Sequence, residues 1–236
     1  MTQNLKSIIG EYIADFKEKQ NLPFVVKPSI PIVWFGDREK YEASPKKILT
    51  VALNPSRKEF EGSRFDIVDL DSDFADEKLS KTLCEYFKRN PYSWFRDFEK
   101  VLSTVGASYY ENRAENTAIH IDIYSAVATD PTWGKLSDSQ RSGIRRTDLF
   151  KKLLEILNPD VIIVSANQTV FREVFYQFRC VKSEEDIGGK IGFFIRKYKC
   201  GEKILISGRN LRGQPFGGMS DFEIDCAMKN ILQETD

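Results

Sequence analysis

Two short stretches of this sequence carry side chains whose types and spacing could do chemistry. In TVALNPSRKEF, from Thr50 to Phe60, an apolar run stops at Asn54, and Pro55 fixes the turn behind it so that a carboxamide is presented where the run ends. A carboxamide held that rigidly can orient a water molecule or a polar ligand, although an Asn-Pro pair also serves simply to start a turn. In GRNLRGQPFGG, from Gly208 to Gly218, four glycines open backbone conformations closed to other residues, while Asn210, Leu211, Arg212 and Gln214 supply an amide, an apolar wedge, a guanidinium and a second amide. The loop lacks the G-x-x-x-x-G-K-[ST] pattern, so it is no P-loop, and Gly-rich loops of this length also serve as plain connections.

The residue inventory argues against several other chemistries. A Ser-His-Asp hydrolase needs a histidine, and the only one, His120, lies inside an apolar run with no G-x-S-x-G elbow in the chain. Metal sites built on several histidines fall for the same reason. Cys84, Cys180, Cys200 and Cys226 form no C-x-x-C pair, which speaks against a zinc ribbon, a redox motif or a disulfide scaffold and predicts reduced thiols in or near the core. No compact Asp/Glu cluster reads as a magnesium site, although the acidic stretch after Arg57 could bind the ion weakly.

Spacing predicts the elements that must position the candidate side chains. Leu5, Ile8, Ile9, Tyr12, Ile13 and Phe16 mark one face of an opening helix. IPIVWFGD reads as a short strand closed by Gly36-Asp37, and KILTVAL (Lys47 to Leu53) as a buried strand that delivers Asn54. Arg57 to Glu77 has no clean period and reads as a long acidic loop, of a length that suggests function in a compact domain. Trp94, Phe95, Phe98, Val101, Leu102 and Val105 predict a helix stopped by Gly106, and TAIHIDIYSAV (Thr117 to Val127) a strand running into a loop. Leu149 to Leu157 predicts a helix ended at Asn158-Pro159, DVIIVSA a buried parallel strand, and Val170 to Phe178 a further helix. Two strands turning near Cys200-Gly201-Glu202 and a closing helix capped by Ser220 and Glu223 complete the chain. This alternation predicts an α/β fold, a three-layer α/β/α sandwich with a central, mostly parallel sheet, whose ligands bind beyond the carboxyl ends of the strands. That rule selects Asn54, the segment Asp122 to Thr129, and the loop Gly208 to Gly218.

At 236 residues, with 41% hydrophobic and 30% charged, the composition excludes a mainly disordered chain and predicts one packed domain: an N-terminal helix and extension over 1–46 and a core over 47–236. No apolar run approaches the ~20 residues that span a bilayer, and no basic N-terminal segment precedes an apolar stretch, so a cytoplasmic protein with no membrane partner is expected. Formal net charge is zero but polarised along the chain: eight acidic residues face Arg64 alone between Glu59 and Glu77, whereas seven basic residues face only Glu202 between Lys190 and Arg212. A basic run of that kind is commonly a solvated face, and a phosphate-tracking surface needs supporting motifs.

Those motifs carry a resemblance. ALNPS after a buried strand, SWFRDFEKVL as a following helix, LLEILNPDVIIVSAN, and a strand ending in RNLRG before the last helix together resemble the uracil-DNA glycosylase superfamily, over roughly Lys47 to Leu232. Leu53-Asn54-Pro55-Ser56 is similar to the first active-site motif of its mismatch-specific and single-strand-selective branches, and Asn210-Leu211-Arg212-Gly213 corresponds in position to the second. The resemblance implies a monofunctional glycosylase with no cofactor and no obligate protein partner, acting on duplex or single-stranded DNA. Asn54 would aim water at the anomeric carbon, and Asn210 would stabilise the departing base. Ala52, Leu53, Pro55 and Ser56 would surround the base, Phe65 or Phe60 would stack on it, and Asp122, Tyr124 or Ser125 would read its edge. Arg57, Arg209, Leu211, Arg212, Gly213 and Gln214 would contact DNA, with Leu211 or Arg212 filling the gap left by a rotated nucleotide; Arg141, Arg145 and Arg146 are further local basic residues.

The chain departs from the family by lacking His-Pro-Ser in the second motif, Asp-Pro-Tyr-His in the first, and the Asn with which uracil-specific members read their base. These departures point to an enlarged or modified pyrimidine. Two rival expectations remain: a metal-dependent nucleotide or sugar hydrolase using the acidic loop, and a non-catalytic DNA or nucleotide sensor on the same fold.

Overall fold

A computed structural model describes residues 3–166 and 168–233, Gln168 by its backbone alone. In chain order the first half contains α1 (Gln3–Lys19), α2 (Arg38–Ala43), β1 (Ile48–Ala52), α3 (Ala75–Cys84), α4 (Arg96–Thr104), β2 (Ala107–Ser108) and β3 (Asn116–Asp122). The second half contains α5 (Asp138–Ile144), α6 (Thr147–Leu157), β4 (Val161–Val164), α7 (Gln168–Val174), β5 (Arg179–Glu185), β6 (Phe194–Cys200), β7 (Lys203–Gly208), β8 (Asn210–Leu211), β9 (Gln214–Pro215) and α8 (Asp221–Leu232). The protein is α/β, built on a large and mostly parallel sheet, and its chain divides into two compact units.

Unit 2 comprises Lys40–Val51, Ser93–Ala118 and Pro159–Asp236. The seven-stranded sheet has the order β2-β3-β1-β4-β7-β6-β5; β1 ends at the border of this unit and β3 continues beyond it. Every residue of β1 and β4 is buried, which is why both read as unbroken apolar runs: a parallel strand covered on both faces has no polar side to alternate with. Ile48 pairs with Val161 and Val161 with Ile204, so β1, β4 and β7 run parallel and deliver their carboxyl ends to one side. From β7 the sheet turns antiparallel through β6 to β5, with Gly201 taking the positive φ of the connecting turn. Helix α8 packs on α4, β5 and β6, and its N-terminus carries the predicted capping box, Ser220 Oγ accepting from Glu223 N.

Unit 1 comprises Met1–Glu39, Ala52–Tyr92 and Ile119–Asn158. Leu5, Ile8, Ile9, Tyr12 and Phe16 form the buried face of α1, which packs on α6 and α3. Asp15 shares that face, where Lys19 and Arg146 Nη1 (2.6 Å) neutralise its carboxylate. Asn158 ends α6 in the left-handed conformation, which asparagine tolerates at a helix terminus, and Pro159 cannot continue the helix.

Several expectations need correction. IPIVWFGD is not a strand: its residues are almost wholly buried, but the segment touches the ladder only at Phe35, bridged to His120. Pro31 removes a donor, and the remaining N–H groups find single acceptors, Ile32 N on Ala126 O at 2.9 Å among them. The stretch Arg57 to Glu77 is not all loop, since Arg57–Ser63 is a 3-10 helix and α3 starts at Ala75. The helix expected over Val170 to Phe178 stops at Val174. Strand β5 was not anticipated, because RCVKSEE is exposed on both faces and has no apolar alternation. The four cysteines are free, but Cys180 and Cys226 are exposed rather than near the core. Among the described residues no helix is long and apolar enough to cross a membrane.

Candidate functional site

The predicted site residues fall into two groups, Ala52 to Phe65 with Asp122 to Ser125 in unit 1, and Arg209 to Gln214 in unit 2. In unit 1, the chain beyond β1 is clamped by the chain beyond β3: Ile123 N donates to Ala52 O (3.0 Å), Tyr124 N to Leu53 O (2.9 Å) and Thr129 N to Pro55 O (3.1 Å). Inside that clamp the Asn54 amide donates from Nδ2 to Pro55 O (2.7 Å), Val127 O (3.2 Å) and Thr129 Oγ1 (3.3 Å). Two of these acceptors are carbonyls, which can only accept, so the carboxamide cannot be turned end for end. Its Oδ1 is buried and accepts no hydrogen bond from any described residue. Leaving such an oxygen unsatisfied costs about 1–3 kcal/mol, and a fixed, unsatisfied acceptor is what a water proton or a hydroxyl would seek.

Ser56 opens the 3-10 helix as its cap. Its N and Oγ donate to Glu59 Oε2 at 2.8 and 2.7 Å, closing a capping box. Ser56 is thereby turned toward Glu59, and the sequence reading missed Glu59 as its partner. The signal was present, since S-x-x-E is the pattern recognised at Ser220 and Glu223. Burial raises the Glu59 carboxyl from 4.5 to about 7; the Ser56 hydrogen bonds oppose the shift and the nearby Asp122 carboxylate adds to it. Asp122 itself is nearly buried, 3.7 Å from His120 Nε2. Thr129, fully buried and bonded to the Asn54 amide, is the second residue missed.

The other predicted contacts of unit 1 are more enclosed than expected. Tyr124 is buried, with the Trp133 ring stacked on its own at 4.7 Å and the Arg145 guanidinium 4.3 Å from its centroid, so little of the ring is left for a base. Ser125 is buried, its Oγ accepting from Val127 N at 3.0 Å. Phe65 is buried against Phe35 and Tyr86, the latter stacked at 4.8 Å, while Phe60, 5.3 Å from Phe65, is the more exposed of the two candidates. Arg57 pairs with Asp130 at 2.6 Å, Arg146 with Asp15 and Asp148, and Arg141 with Asp138.

In unit 2 the loop after β7 is a small antiparallel hairpin, β8 pairing with β9. Arg212 (φ 53°) and Gly213 (φ 82°) occupy its two-residue turn, the positive-φ pattern of a type I′ hairpin. Asn210 Oδ1 accepts from Gly213 N at 3.0 Å, so that oxygen closes the turn and only Nδ2 is left to donate outward. The hairpin is braced from below: Trp94 Nε1 donates to Gly213 O (2.7 Å), and Ser165 Oγ lies 3.3 Å from Arg209 O and 3.4 Å from Phe216 N. Asn210, Arg212, Gly213 and Gln214 remain exposed on this rigid support, with Leu211 half-buried.

Gly208 makes the brace possible, because a Cβ there would lie 2.1 Å from Phe216 Cε1, a ring that is itself buried and edge-on to Phe98. Gly208→Ala should therefore destabilise the protein by about 2 kcal/mol, the usual cost of overpacking. An unchanged urea midpoint would show that Phe216 is free to move.

Cavities of about 210, 590 and 580 Å³ are lined by other residues, respectively around Phe194, Arg196 and Tyr198, around Asn116 and Asp160, and around Arg38 and Cys84. Among the described residues no group of three or more His, Cys, Asp and Glu side chains is placed to hold a metal ion. Asn167, the last residue of the VIIVSAN motif, lies outside the described residues. No known protein-family model and no curated protein matches this chain.

Proposed function

We propose that the chain is a monofunctional DNA glycosylase of the uracil-DNA glycosylase type, with a three-layer α/β/α fold and a modified or enlarged pyrimidine as its base. The observation that carries this reading is the Asn54 carboxamide, locked through its amide and offering a buried, unsatisfied Oδ1. An acceptor of that kind, fixed before substrate arrives, orients a water without reorganising in the transition state. The water oxygen adds to the anomeric carbon as the base leaves with the electron pair of the N-glycosidic bond; one water proton goes to the departing base, the other stays on the new sugar hydroxyl, and an abasic site remains. Neither metal nor cofactor enters the step. The braced hairpin of unit 2 is taken as a DNA contact, with Nδ2 the one donor the Asn210 carboxamide retains.

Arginine at the hairpin tip supports a contact role. A left-handed conformation costs an ordinary L-residue about 1–2 kcal/mol, and Asn-Gly is the favoured pair for such a turn. Arg212→Asn should accordingly stabilise the protein by roughly 1 kcal/mol while weakening DNA binding and lowering the salt dependence of log K by about 1. Stability and affinity moving in the same direction in melting and anisotropy titrations would count against the assignment.

The direct test is to incubate the protein with duplexes and single strands carrying different pyrimidine modifications, with and without chelator, and to look for alkali-labile sites. Chelator-resistant abasic-site formation on at least one modified base is expected. Binding without base release on every substrate would replace the enzyme by a sensor, and cation-dependent activity on free nucleotides would replace it by a hydrolase of a different class.

A further inference from the structure

The loop between β5 and β6, Asp186 to Phe193, is adjacent to the hairpin by topology: β6 is antiparallel to β7, so the residues before β6 and those after β7 emerge at one end of the sheet. Its conformation is fixed by its own backbone. Ile187 N donates to Phe193 O (3.1 Å), Phe193 N to Lys190 O (3.1 Å), and Gly192 N to Asp186 Oδ1 (2.7 Å). Positive φ angles at Gly188, Gly189 and Gly192 make so tight a course possible. The two loops are also tied to each other: Arg209 donates from Nη1 to Ile191 O (3.3 Å) and lies 4.2 Å over the Phe193 ring, and Lys190 Nζ reaches Gly218 O (2.8 Å). A Cβ added at Gly218 would lie 2.8 Å from Phe193 Cε1 and 3.0 Å from Leu211 Cδ2, so a side chain from each loop closes over this glycine.

At the tip of this fixed loop stands Ile191, 88% exposed. A single isoleucine is far too small for a protein-docking patch, which needs a broad apolar core; the Arg209 guanidinium donates to its carbonyl and Arg212 stands exposed on the neighbouring hairpin, whereas the Lys190 ammonium is taken by Glu223 at 2.8 Å. Duplex DNA is the partner that matches one rigid apolar side chain among cations, because a lone wedge enters a base step while phosphates take the cations. We infer that Ile191 is a second apolar probe of duplex DNA, inserted beside the hairpin tip from an independent loop. This rests on the reading of the chain as a DNA-binding enzyme.

The test uses the full chain and a short duplex with a tetrahydrofuran abasic-site analogue opposite 2-aminopurine, read by anisotropy for affinity and by 2-aminopurine fluorescence for unstacking. Ile191→Ser should bind about tenfold more weakly than wild type and lose the fluorescence rise, the cost of removing a wedge at one step. Ile191→Leu should keep both signals, and Val181→Ser, an equally polar change at an exposed residue further along β5, should leave them unaltered. Wild-type binding that Ile191→Ser leaves unchanged overturns this inference alone, as does an equal loss in Val181→Ser. A wild type that ignores the duplex overturns the inference together with the function it rests on.

Discussion

Asn54→Ala should lower base release by about 10²–10³-fold at saturating DNA, the loss typical of removing one preorganised polar group from a reacting centre. The effect belongs to kcat, because Oδ1 is proposed to touch the water and the hairpin of unit 2 to make the DNA contact. The variant also loses the donor shared by Pro55 O, Val127 O and Thr129 Oγ1; Pro55 O keeps the bond from Thr129 N, but Val127 O loses its donor, and leaving a buried carbonyl unpaired costs about 1–3 kcal/mol of stability. Thr129→Val separates the two consequences. It deletes the longest of the three amide contacts and leaves Asn54 anchored to both carbonyls, so turnover should fall less than tenfold. Single-turnover assays at temperatures where both variants remain folded make the comparison. Full turnover by Asn54→Ala would remove the carboxamide from the mechanism.

How much of this was legible depended on the range over which each feature is determined. Helix faces and doubly buried strands are local: Leu5 to Phe16 and the VIIV run of β4 announce their burial through period and composition alone. The capping box at Ser220 and Glu223 is local too, and the same pattern at Ser56 and Glu59 was overlooked because the surrounding acidic residues have no helical period. Features decided across the chain were not legible. The Asn54 carboxamide could be located from its proline, but its orientation is set by Val127 and Thr129, which reach it only through the pairing of the chain beyond β3 with the chain beyond β1. Tyr124 looked available for a base until Trp133 and Arg145 covered its ring, and β5 owes its existence to β6 rather than to its own residues. The buried IPIVWF run shows the opposite failure: apolar, β-branched residues satisfied a strand pattern, yet proline and scattered acceptors made an irregular core segment.

Glu59 should make stability depend on pH in a direction unusual for a carboxylate. Native-state burial raises its carboxyl from 4.5 to about 7, so between those values the folded protein holds a proton that the unfolded chain has released. Its contribution is therefore fully present below pH 4.5, declines as pH rises through the window, and is gone above pH 7, a span of up to about 3 kcal/mol. Glu59→Gln removes the titration while keeping an acceptor that can close the capping box with Ser56 N and Oγ, since Gln serves at that position as well as Glu. The difference in unfolding free energy between wild type and Glu59→Gln should thus shift in favour of the variant by about that amount from pH 4.5 to pH 8, whatever other groups titrate in both proteins. Parallel urea titrations across that range would measure it. Superimposable pH profiles would mean that the Glu59 carboxylate is solvated in the native state, and the turn that carries Asn54 would then be far more open than its hydrogen bonds indicate.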